Sequence, residues 1–122
     1  NDVEIRTQDN TGITAILALS YGGRDDIRRA VQKIATDVLE DRLRPEDITE
    51  DLISKNLDTH FCPDPDLFIR TSGELRVSNY LLWQMAYTEL YFSKVFWPDF
   101  NKKHLILAII DFNNRERRYG KR

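Results

Sequence analysis

The stretch Leu67-Phe68-Ile69-Arg70-Thr71-Ser72-Gly73-Glu74-Leu75-Arg76-Val77-Ser78-Asn79 decides how this chain is read. Pro63-Asp64-Pro65-Asp66 blocks helix before it, and the apolar triplet then fits a short buried strand. The same grammar occurs earlier. Ile13-Thr14-Ala15-Ile16-Leu17-Ala18-Leu19 follows the turn Asn10-Thr11-Gly12 and runs into Ser20-Tyr21-Gly22-Gly23-Arg24. A near-continuous apolar run between turn signals predicts a buried parallel strand over 13–19.

Helical spacing fills the rest. Ile27, Val31, Ile34 and Val38 predict one apolar helix face, with Asp25 and Asp26 at the favourable end of its dipole. Thr49 is a plausible N-cap for a short helix through Leu52, Ile53 and Leu57. Ser78 is a cap for a helix over 79–90, apolar almost all round and so expected to be buried. A last helix is expected over 102–118, with Leu105, Ala108, Ile109 and Phe112 on one face and Gly120 at its end. Strand and helix in alternation argue an α/β fold, a parallel sheet flanked by helices. Two clear strands are few for a whole doubly wound sheet, and the N-terminus shows neither a Met nor a signal pattern. The expectation is a chain that begins in mid-protein.

Ligands of open parallel sheets bind beyond the carboxyl ends of the strands. Both predicted strands end in glycine and arginine there. Arg70, Arg76 and Ser78, with free amides at a helix start after Ser78, would suit a diphosphate, because Arg offers a planar fork matching phosphate oxygens. The plainer reading is a loop of solvated arginines paired with Glu74; the repeated Gly/Arg chemistry favours the anion site. Glu89, a carboxylate on an apolar stretch, needs a partner. It is either a ligand for Mg²⁺ beside a diphosphate or the partner of an arginine, and the residues leave both open. Trp83, Tyr87, Tyr91, Phe92, Phe96 and Trp97 read as core or interface. His60 and His104 carry no assignment.

Composition narrows the classes. A 41% apolar and 31% charged content is that of a globular domain rather than a disordered one. The net charge of −2 and the lack of basic residues interleaved with aromatics argue against nucleic acid as a partner. A single cysteine, Cys62, permits no internal disulfide and reads as a bystander thiol. The apolar run at 13–19 is far short of the ~20 residues a membrane span needs.

The stretch from Pro65 to Phe92, with Trp97-Pro98-Asp99-Phe100, Arg115-Glu116-Arg117-Arg118-Tyr119-Gly120, Asn10-Thr11-Gly12 and Ser20-Tyr21-Gly22-Gly23-Arg24, closely resembles the cis-prenyltransferase family. The resemblance covers nearly the whole chain. It implies an enzyme condensing isopentenyl diphosphate with an allylic prenyl diphosphate to a cis-polyprenyl diphosphate of the undecaprenyl type. It implies that Arg70, Arg76 and Ser78 bind the isopentenyl diphosphate group, that Arg24 lies near substrate phosphates, and that Glu89 helps place Mg²⁺. Trp83 matches a residue read as structural. Arg118-Tyr119-Gly120 looks like the Arg-x-Gly tail that reaches across a homodimer toward a diphosphate. The family's Asp-Gly-Asn-Gly-Arg-type loop, which carries its catalytic Asp, has no match here. Residues 1–122 therefore read as the C-terminal part of one such domain, inactive alone, with no catalytic residue assigned. The family further implies a cytoplasmic protein (plastid stroma or membrane-peripheral in a eukaryote), with peripheral membrane contact for product release. Two alternatives stand beside it: a non-catalytic partner subunit of a heteromeric enzyme, and a general phosphate- or RNA-binding module.

Overall fold

The computed structural model describes residues 2–117. Its helices are α1 (Asp2–Thr7), α2 (Gly23–Leu39), α3 (Glu50–Lys55) and α4 (Lys102–Asn113), and its strands are β1 (Leu67–Arg70) and β2 (Glu89–Phe92). Single 3₁₀ turns lie at Pro45–Asp47 and Trp97–Asp99, each opened by proline near its start. The fold is α/β, and its sheet is parallel: Leu67 faces Glu89 and Arg70 faces Phe92.

β1 forms where the apolar triplet predicts it. The helix expected over 79–90 does not form: the stretch is turns, and its last two residues open β2. The turn-forming residues of 79–90 explain the difference. Ser78 (φ 49°), Asn79 (φ 61°) and Leu81 (φ 45°) are left-handed, a region that costs an L-residue roughly 1–2 kcal/mol and cannot be repeated as a right-handed helix. What remains is a set of tight turns, closed by Met85 N–H to the Leu81 carbonyl (3.0 Å) and Thr88 N–H to the Met85 carbonyl (3.2 Å). The connection thus returns the chain to a parallel strand without a regular crossover helix.

The residues 13–19, expected as a buried strand, join no sheet and are exposed, Ile13 completely and Leu17 at 84%. A strand is held by pairing, and among the described residues neither β1 nor β2 pairs with this stretch. α2 spans the expected helix, but its buried line is Asp26, Ala30 and Ile34. Val31, expected on that face, is half exposed; the helix is turned so that Gly23 meets Leu82. α4 ends at Asn113, short of the expected 118, and Gly120 lies outside the described residues. His104, unassigned from sequence, completes a capping box there: Asn101 N–H donates to its Nδ1 at 3.2 Å while Asn101 Oδ1 takes the Lys103 N–H. α3 begins as expected, with the Thr49 hydroxyl accepting from Leu52 N–H at 3.2 Å. The apolar core is small, made of Ala30, Ile34, Leu57 and Ala108.

Candidate diphosphate-binding site

β1 delivers Arg70 at its carboxyl end, and the backbone after it is anchored on both sides. Ser93 N–H donates to the Arg70 carbonyl (2.7 Å), Ser72 N–H to the Val95 carbonyl (2.8 Å) and Gly73 N–H to the Ser93 carbonyl (2.9 Å). Ser72 and Gly73 both take positive φ, at 66° and 69°, so the loop reverses in two residues. The reversal carries the chain past Arg76 to Ser78, whose hydroxyl lies 3.5 Å from an Arg70 guanidinium nitrogen. That separation leaves the guanidinium with capacity for a stronger acceptor. Arg76, on the same loop, is paired with Glu74 at 2.6 Å in an exposed contact. That pair is the plainer reading of the loop, realised for one of its two arginines.

Residue 79 ties this loop to the start of α2. Gly23 N–H donates to the Asn79 carbonyl (2.7 Å), and Arg24 N–H donates to Asn79 Oδ1 (2.9 Å). The contact demands glycine. A Cβ on Gly23 would stand 2.9 Å from Leu82 Cγ and 3.0 Å from Leu82 N. Arg24 is thereby brought beside the Ser78 turn through its backbone. No helix begins after Ser78, so the free amides of a helix start expected there do not exist in that form.

In the first turn of α2 lies a buried polar hub. Asp26, 1% exposed, accepts from the Tyr21 hydroxyl (2.9 Å), from Asp58 N–H (2.9 Å) and from Gln84 Nε2 (3.4 Å). Gln84 Nε2 also reaches Thr59 Oγ1 at 2.9 Å. Burial first, and then the Asp26 bond, push the Tyr21 phenol up to about 12. Arg29 forks onto Asp58 (2.7 and 2.5 Å) and holds the Asp58 carboxyl below its ordinary range. In sequence Asp26 looked like a helix-dipole acid, and Gln84 and Asn79 carried no signal beyond polarity. The adjacent glycines Gly22 and Gly23 were the one clue that another backbone comes close.

Glu89 stands elsewhere. In the parallel register it faces Leu67, at the amino end of the strand pair, three residues from the level of Arg70, or ~10 Å along the strand. Its Oε2 accepts from an Arg115 guanidinium nitrogen at 2.9 Å, and Arg115 also binds Asp111 Oδ2 and the Leu90 carbonyl. Arg117 pairs with Asp66 at 2.7 Å and lies over the Phe112 ring. The basic tail is thus partly neutralised within the chain. Arg118 and Gly120 lie outside the described residues. Trp83 is structural, its Nε1 donating to Ser54 Oγ at 2.9 Å. Phe96 and Trp97 are exposed rather than core.

This is an α/β protein whose polar loops gather beyond the carboxyl end of a parallel strand, the place where such sheets take their ligands. A family model described as "Putative undecaprenyl diphosphate synthase" matches residues 1–120. The chain belongs to this prenyltransferase family. It is 55% identical over 120 residues to an isoprenyl transferase of Streptococcus agalactiae, a match covering 95% of this chain and 48% of that protein. An isoprenyl transferase of Bacillus thuringiensis is 52% identical over 114 residues. Among solved structures, lavandulyl diphosphate synthase from Lavandula x intermedia, in complex with dimethylallyl diphosphate, superposes with a TM-score of 0.94 at 42% identity, over 98% of this chain and 52% of that one. A probable undecaprenyl diphosphate synthase from Campylobacter jejuni superposes at 0.80 with 39% identity, over 98% and 53%. The chain spans about half the length of the relatives it matches.

Proposed function

We propose that this chain is the isopentenyl-diphosphate-holding part of a cis-prenyltransferase. The observation that carries the reading is the β1 terminus: Arg70, Ser78 and the backbone of Arg24 brought together by one loop in a chain of this family. In the reaction, the carbon–oxygen bond to the allylic diphosphate breaks. The double bond of isopentenyl diphosphate supplies the electron pair of the new carbon–carbon bond, and a proton leaves to form a cis double bond. Arg70, Arg76 and Ser78 hold the isopentenyl diphosphate group, and Arg76 exchanges its Glu74 partner for phosphate oxygens. Their contribution is position and charge compensation.

Mg²⁺ is proposed as a requirement of a protein of the relatives' full length. Among the described residues Glu89 is paired with Arg115 rather than grouped with other carboxylates, no group of three His, Cys, Asp or Glu stands together, and no step above passes through the ion. A homodimer is proposed because Tyr87, Phe96 and Trp97 expose apolar surface of the kind that association covers. Cytoplasmic residence with peripheral membrane contact is proposed on family grounds alone; among the described residues no helix is long and apolar enough to cross a membrane.

The test is transfer of radiolabelled isopentenyl diphosphate to an allylic diphosphate by the full-length protein. A cis-polyprenyl diphosphate product, strongly reduced in Arg70→Ala and Arg76→Ala at low isopentenyl diphosphate, is expected. Unchanged kinetics in both variants would remove the loop from the site.

A further inference from the structure

The start of α2 has an uncommon cap. The N-cap residue is Gly22, which has no side chain to satisfy the orphan N–H groups of the first turn. Asn79, distant in sequence, does that work twice: its carbonyl accepts from Gly23 N–H and its Oδ1 from Arg24 N–H. Two of the amides that this helix start would offer to an anion are therefore occupied by the protein itself. The charged group that this clasped start can add for a phosphate is the Arg24 side chain.

The same residue shapes the loop. Asn79 is at φ 61° and Ser78 at φ 49°, and asparagine is among the few residues that tolerate such a conformation. The turn directs Ser78 back to Arg70 while the Asn79 amide holds Arg24. Gly22 permits the approach: a Cβ there would stand 3.0 Å from Asn79 Nδ2. A second tie, Gln84 to Asp26 and Thr59, holds the far end of the turn region independently. Loss of the Asn79 amide therefore loosens the clasp without releasing the whole segment.

Resting on the diphosphate reading above, we propose that Asn79 is a positioning residue: it clasps Arg24 to the Arg70–Ser78 loop so that both arginines address one isopentenyl diphosphate. It acts through Arg24 and does not itself need to touch the ligand. Asn79→Gly is the informative change, because glycine keeps the positive φ and the carbonyl bond to Gly23 and removes only the amide.

In the full-length protein, Asn79→Gly should raise the KM for isopentenyl diphosphate about 3- to 12-fold, the worth of one lost hydrogen bond, with kcat within about 2-fold. In an Arg24→Ala background the same change should add less than about 2-fold, since residues acting through one contact are not additive. A KM within about 2-fold of the parent, or an equal effect in both backgrounds, overturns the proposal. Arg70→Ala measured alongside separates the two layers. If Arg70→Ala raises KM and Asn79→Gly does not, only the clasp fails; if neither does, the diphosphate reading fails. Should Asn79→Gly not fold, Gly22→Ala carries the test, because its new Cβ presses on the Asn79 amide. The same KM rise and the same non-additivity are then expected, and an unchanged KM again overturns the clasp.

Discussion

The two ends of the β1–β2 pair use the same residue type to opposite effect. At the carboxyl end Arg70 has a neutral hydroxyl at 3.5 Å, and Arg76 has one exposed carboxylate. At the amino end Arg115 is surrounded by Glu89, Asp111 and the Leu90 carbonyl, and Arg117 by Asp66 and an aromatic ring. The Glu89 and Asp111 contacts push the Arg115 pKa up, Glu89 contributing first. One end keeps cationic capacity for a ligand; the other spends its cations on locking α4 to β2. An arginine in a sequence is a candidate anion ligand only until its carboxylates are counted, and that count is a property of the fold.

The sharpest way to break the contrast is to exchange roles. Arg70→Ala should raise the KM for isopentenyl diphosphate about 10- to 100-fold, the worth of a charge-assisted contact. Arg115→Met should leave that KM within about 2-fold. Steady-state kinetics of the two variants side by side decide it, and equal effects would erase the distinction between the two ends.

Gly23→Ala tests whether the carboxyl-end loop depends on close approach. Its Cβ would meet Leu82 Cγ at 2.9 Å and Leu82 backbone N at 3.0 Å, so backbone must shift. The expected loss is about 1–3 kcal/mol of stability by denaturant titration, typical of overpacking. A variant as stable as the parent would show that the loop is not pinned to α2.

Glu89→Gln probes the amino end. The pair with Arg115 is about 30% exposed on both sides, so solvent screening limits its worth to about 0.5–1 kcal/mol. A double-mutant cycle with Arg115→Met should return a coupling of that order, with the dependence of activity on Mg²⁺ unchanged. Loss of the Mg²⁺ response with no coupling would move Glu89 from the structural end to the chemical one.

The smallest effect at neutral pH is at Tyr21. Its folded pKa is raised to about 12 from an ordinary 10, so the protonated phenol is what the fold favours. That contribution is complete below pH 10 and is lost as pH rises through about 12. Tyr21→Phe should abolish the late-titrating phenolate absorbance and flatten the fall in stability across that window. A Tyr21 that ionises with the exposed tyrosines would show that the Asp26 hub is open to water.

What the sequence alone determined is the local grammar: β1 from an apolar triplet behind two prolines, α2 and the start of α4 from periodicity, the Thr49 cap, and the Arg70–Ser78 loop with its family. These are legible because each depends on neighbours within a few residues. The tertiary structure alone decided the rest. Residues 79–90 have helical composition, yet contact with Gly22 and Gly23 holds Asn79 in a left-handed turn and lets Glu89–Phe92 pair as a strand. Residues 13–19 have strand composition, yet among the described residues no edge pairs with them. Asn79, Asp26 and Gln84 matter through partners distant in sequence. Hydrogen-bond satisfaction across such separations leaves no periodic trace in a sequence, because it is set by which backbones meet and not by which residues are adjacent.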